Sequence, residues 1–127
     1  MNIFDAIVPN PFLNSIYPNG LMNDILIGQI EFDSGGHVWL TIHTKESPYK
    51  IIKKWGIFGK DYNIVVIKLS ICDLKRITVS GWSMADFFPV EIEKKGDIFV
   101  IRQSSGKYDF EVQAAFLNFK NCSVYVL

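Results

Sequence analysis

Residues 62–74 read "YNIVVIKLSICDL", and their spacing settles what kind of backbone this chain builds. Val65, Ile67, Leu69 and Ile71 occupy every second position, with Lys68 and Ser70 between them. Successive side chains of an extended strand point to opposite sides, so a period of two gathers the apolar set on one face. A helix would instead repeat its apolar residues three and four apart. This stretch is therefore a strand with one buried face and one wet face.

The same period continues on both sides. In "ILIGQIEFD" (25–33), Leu26, Ile30 and Phe32 are expected on one face, with Gln29 and Glu31 on the other. "SGG" at 34–36 is turn chemistry and leads into "HVWLTIHT", so the two runs form a hairpin in which Val38, Leu40 and Ile42 continue the buried face. Downstream, "KRITVSGW" (75–82) offers Ile77 and Val79, and "PVEIEKKGDIFVIRQ" (89–103) reads as a second hairpin turning at "KKGD". "KYDFEVQAAF" (107–116) sets Tyr108, Phe110, Val112 and Ala114 against Asp109, Glu111 and Gln113, and "CSVYVL" closes the chain. No amphipathic helix of three turns occurs. The expected fold is all-β, one domain over residues 1–127, an antiparallel meander of seven to eight strands as a rolled sheet or sandwich. The first twenty residues are expected to be irregular. One helical turn is indicated there, with Asn10 as cap and Pro11 at the first helical position.

A chain of 127 residues that is 49% hydrophobic and 20% charged can bury a core, which excludes a disordered protein. Thirteen basic and thirteen acidic residues cancel, so the whole molecule has no net pull towards nucleic acid or an anionic membrane. The distribution is uneven. Residues 1–44 hold Asp5, Asp24, Glu31 and Asp33 and no Lys or Arg, whereas residues 45–76 hold eight basic side chains against three acidic ones. Only Cys72 and Cys122 are present, both in strand patterns, which suggests free thiols in a reducing, cytoplasmic compartment. The N-terminus lacks the basic start and unbroken apolar run of a signal peptide, and no apolar run nears the ~20 residues that span a bilayer.

Catalytic chemistry finds little footing. His37 and His43 share a strand face but stand six residues apart, ~20 Å at strand rise, too far to share a metal or a substrate atom. Glu91 and Glu93 alternate with Val90 and Ile92, as the wet side of a hairpin does. No phosphate loop, zinc pattern or nucleophile elbow occurs. A non-enzymatic protein without cofactor or metal is expected.

One stretch stands apart. "KIIKKWGIFGKDYN" (50–63) mixes Lys50, Lys53, Lys54 and Lys60 with Trp55, Phe58 and Tyr62, around Gly56 and Gly59. Such a segment can be a lid whose rings fold onto the sheet while its lysines stay in water. It can also be a protein-contact surface, or a groove in which lysines meet phosphates and rings stack on bases. The zero net charge counts against nucleic acid, for dedicated nucleic-acid domains are distinctly basic.

The order of "DILIGQIEFDSGGHVWLTIHT", "KKWG", "YNIVVIKLS", "LKRITVSGW" and "CSVYVL" resembles the immunity protein 50 family over residues 21–127. Members of that family are small β-rich proteins encoded beside bacterial polymorphic toxins. The resemblance implies a stoichiometric inhibitor that binds a cognate toxin and performs no chemistry. It carries over no contact residues, so the candidates come from interface physics, where Trp, Tyr and Arg dominate and charge speeds capture. They are Lys53, Lys54, Trp55, Phe58 and Tyr62, followed by Trp39 on the polar face of its strand and Trp82 at a strand end. The alternative is a nucleic-acid-binding β-barrel using residues 50–63. Homodimerisation is left open.

Overall fold

A computed structural model describes all 127 residues. Its six strands are β1 (Ile25–Phe32), β2 (Val38–Thr44), β3 (Ile64–Ser80), β4 (Glu91–Lys95), β5 (Ile98–Ser104) and β6 (Asp109–Tyr125). They form one antiparallel sheet in the order β1-β2-β3-β6-β5-β4. The odd positions of β3 are buried from Val65 to Ile71, and they pair with Thr44, Ile42, Leu40 and Val38 of β2. The decisive stretch thus has the buried face its spacing required.

Six strands replace the seven to eight expected, because two pairs of segments fuse. "KRITVSGW" supplies the second half of β3, and "CSVYVL" contributes the last residues of β6. The break expected near Asp73 is a bulge instead. Asp73 takes φ 55, a left-handed conformation that Asp tolerates, and the ladder slips between Leu74 and Arg76. Pairing with β6 resumes at Arg76 and runs on to Ser80.

A second bulge overturns the expected face of β1. The register slips at Gly28, so Ile27 pairs with Ile42 before it and Ile30 pairs with Leu40 after it. Ile25 and Ile27 are the deeply buried residues. Leu26 pairs with His43 on the opposite face from Ile30 and Phe32. The imidazole of His43 fills the place a side chain would take at Gly28. Glycine is required there by space.

The first twenty residues are structured, not irregular. Asn2 and Asp5 cap a single 3-10 turn, Ile3–Ala6, reciprocally. Helix α1 (Pro11–Ile16) has Pro11 in its first turn, and Asn10 Oδ1 accepts the Leu13 N–H at 3.0 Å, the cap its sequence indicated. Ile3, Ala6, Leu13 and Ile16 are buried with the sheet in one apolar cluster, and the Val8 N–H reaches the Leu117 carbonyl at 2.9 Å.

One backbone bridge links the start of β1 to the segment leading into β4. Ile25 and Phe88 exchange two hydrogen bonds, each of 3.1 Å. Gln103 Nε2 donates to both carbonyls, at 2.7 Å to Ile25 and 2.9 Å to Phe88, and the Tyr108 hydroxyl donates to Gln103 Oε1 at 3.0 Å. Burial pushes the Tyr108 phenol up to about 12, so it remains a donor. No helix is long and apolar enough to cross a membrane.

Candidate protein-contact surface

Between β2 and β3 the chain makes a long excursion, residues 45–63, that is fastened at both ends. The Tyr49 N–H donates to the Ile16 carbonyl at the end of α1 at 2.7 Å, and the Tyr17 hydroxyl donates to the Glu46 carbonyl at 2.9 Å. At the far end Gly56 and Gly59 take φ of 84° and 88°, left-handed values that let the chain reverse tightly. Asp61 closes this turn, its Oδ2 accepting the Ile57 N–H at 2.7 Å while its own N–H reaches the Ile57 carbonyl at 2.8 Å. The loop is held by hydrogen bonds rather than draped.

Its rings divide into two groups. Trp55 lies edge-on to Phe12 of α1 and to Tyr62, with ring centres 6.0 Å apart in each pair, and Phe58 lies edge-on to Tyr62 at 5.5 Å. Trp55 is only 8% exposed and Tyr62 is fully enclosed. Both are therefore packed into the core, not set out on the surface as contact anchors would be. The chain reversal at Gly56 and Gly59 turns their rings to the same side, onto the apolar end of the sheet. A base-stacking groove loses its platform by the same packing, since the two rings it needs are inside.

What the loop shows to water is different. Lys53 and Lys54 are exposed as expected, together with Lys50 and Lys60, and Phe58 is half-buried. Among them stand three apolar side chains missed by sequence reasoning: Tyr49 at 79%, Ile51 at 79% and Ile57 at 54% exposure. Their signal was present in "YKIIKKWGI", an apolar run with neither strand nor helix period, but lack of period does not say which side chains turn outward. None of the four lysines forms an ion pair. The flanking acids are occupied: Glu46 Oε2 accepts the N–H groups of Met22 and Asn23, and Asp61 accepts that of Ile57.

Trp39 and Trp82 have other surroundings. Trp39 stacks on His37 with centres 5.7 Å apart, and Lys68 Nζ lies 5.5 Å from its ring and 3.5 Å from Glu31. Asp33 accepts the backbone N–H of His37, which holds its carboxyl below the usual range, and also bonds the His37 ring. Trp82 leans on Tyr108 and helps line a groove of about 430 Å³ with Val79, Gln29 and Ile30.

The titratable groups do not converge. His43 Nδ1 meets the Tyr125 hydroxyl at 2.7 Å, away from the His37–Asp33 pair, and burial lowers its pKa. Arg102 bridges Glu111 at 2.6 Å and Glu93 at 3.2 Å on strand faces. Burial pushes the Cys122 thiol up to about 12, leaving it a poor nucleophile. No group of three His, Cys, Asp or Glu side chains is arranged to hold a metal ion.

The fold is a small antiparallel β protein whose loop between β2 and β3 is fastened at both ends and shows lysines and apolar side chains to water. A family model, Immunity protein 50, matches residues 11–125, and the chain belongs to that family. The matched span includes α1 as well as the sheet. No curated protein and no solved structure matches the chain.

Proposed function

We propose that the protein is an immunity protein that binds a cognate bacterial toxin in the cytoplasm and neutralises it by direct contact, without catalysis. The family supports the first half of that reading. The observation that carries the second is the outer side of residues 49–60, where Tyr49, Ile51 and Ile57 stand in water beside unpaired lysines. Clustered exposed apolar side chains with a polar rim mark interaction sites. Lys53, Lys54 and Phe58 belong to this contact. Trp55 and Tyr62 support it from beneath, as a preorganised base that leaves little to order on binding. Trp39 and Trp82 lie outside it.

Co-expression with the product of the neighbouring toxin gene tests the reading. Growth is restored and the two chains co-purify. Tyr49→Ala and Ile51→Ala each weaken the complex on the order of tenfold, a hot-spot loss, while the melting temperature of the free protein stays close to wild type. Survival with no physical complex contradicts direct inhibition.

A further inference from the structure

We propose that the toxin face covered by this loop is acidic, a rim of carboxylates around an apolar notch. The inference rests on reading the loop as the contact surface. From Ser47 to Lys60 there are four lysines and no carboxylate. The acids that flank the segment, Glu46 and Asp61, bond backbone N–H groups, and neither forms an ion pair with any of the four lysines.

The acidic end of the sequence behaves in the opposite way. Of the four acids in residues 1–44, Asp5 accepts the Asn2 N–H, Glu31 meets Lys68, and Asp33 accepts the N–H groups of Gly35 and His37. Each of these three acids has a partner inside the fold, and none of them pairs with Lys50, Lys53, Lys54 or Lys60, which are exposed. A lysine drawn into an interface without a partner loses hydration and gains nothing, so the surface that accepts this loop must supply carboxylates. Tyr49, Ile51 and Ile57 fill the apolar centre between them.

This sets the mode of neutralisation. A groove that holds a phosphate backbone is basic and would repel the loop. The inhibitor therefore does not sit in such a groove as a nucleic-acid mimic. It covers a carboxylate-bearing face, either an acidic active-site rim or a surface the toxin uses elsewhere. Extended polyanions are poorer occupants, because their charge continues past the loop onto a protein whose net charge is zero. A compact acidic patch needs the loop alone.

The test measures association of the full-length protein with the product of the neighbouring toxin gene at about 50 mM and about 300 mM salt, a range over which exposed charges become screened. Wild type, Lys53→Gln/Lys54→Gln and Lys53→Glu/Lys54→Glu are compared after equal melting temperatures confirm folding. Single-stranded DNA and mixed phosphatidylcholine–phosphatidylserine vesicles serve as separate probes. The expected association rate falls with salt, and falls on the order of tenfold or more in the Glu variant, with the Gln variant between. A complex indifferent both to salt and to charge reversal overturns the acidic face while the immunity reading stands. Absence of any complex at low salt, or binding to DNA or vesicles in its place, overturns both.

Discussion

Two stretches of this molecule that carry both lysines and aromatic residues have opposite characters. On the outer face of the sheet, Lys68 lies over Trp39, Trp39 stacks on His37, and Glu31 and Asp33 answer the charges of that neighbourhood. In the loop at 45–63 Lys45 lies over Phe87, but beyond it the rings of Trp55 and Tyr62 go inward, Lys50, Lys53, Lys54 and Lys60 are exposed, and no carboxylate pairs with those four. The first region is satisfied by its own neighbours. The second, on the proposal above, is completed by the toxin that covers it. Residue type alone does not separate a structural surface from a recognition surface; what separates them is whether each charge and each ring already has a partner.

The sharpest way to break this contrast is to remove one ring from each region. Trp55→Ala opens a hole between Phe12 and Tyr62 and is expected to cost about 3–5 kcal/mol in chemical denaturation. Trp39→Ala, on a half-exposed face, should cost no more than about 1 kcal/mol beyond the small area it covers. Equal losses would erase the distinction. A smaller effect tests the turn that sorts the rings. Gly56→Ala must place a methyl where Asp61 already sits, 2.7 Å from its Cβ, at φ 84, and should cost about 1–3 kcal/mol. Gly59→Ala meets open space and carries only the backbone penalty, so it should be the milder of the two. The mildest changes are Lys68→Met and Glu31→Gln, each within about 1 kcal/mol, as for an isolated half-exposed ion pair.

Acidity offers a further probe of the satisfied face. Burial depresses the His43 pKa below its usual 6.5, so the unfolded chain binds this proton at a pH where the folded one does not. The stability from neutral His43 is full above about 6.5 and declines as the pH falls below it. Denaturation midpoints should fall over that interval in wild type and fall less in His43→Gln.

Much of the fold was legible because a period of two is a local property. Val65 to Ile71, Val38 to Ile42 and Tyr108 to Ala114 all face inward as their alternation required. Asn10 and Pro11 announced α1 through cap chemistry that also needs no distant contact. The bulges at Gly28 and Asp73 were not legible, since each is set by the partner strand: His43 excludes a side chain at Gly28, and β6 carries the ladder past Asp73. The loop was legible only in composition. Which of its apolar residues turn inward depends on Phe12, Ile16 and Tyr17, tens of residues away, so Trp55 looked like an anchor while Tyr49, Ile51 and Ile57 went unnoticed.

Amide hydrogen exchange of the protein, alone and saturated with the proposed cognate toxin, tests the central claim most directly. Strong new protection should appear across residues 49–60, with little change in β1 and β2 around Trp39. Protection centred on the Trp39 face, with residues 49–60 still exchanging as in the free protein, would contradict it.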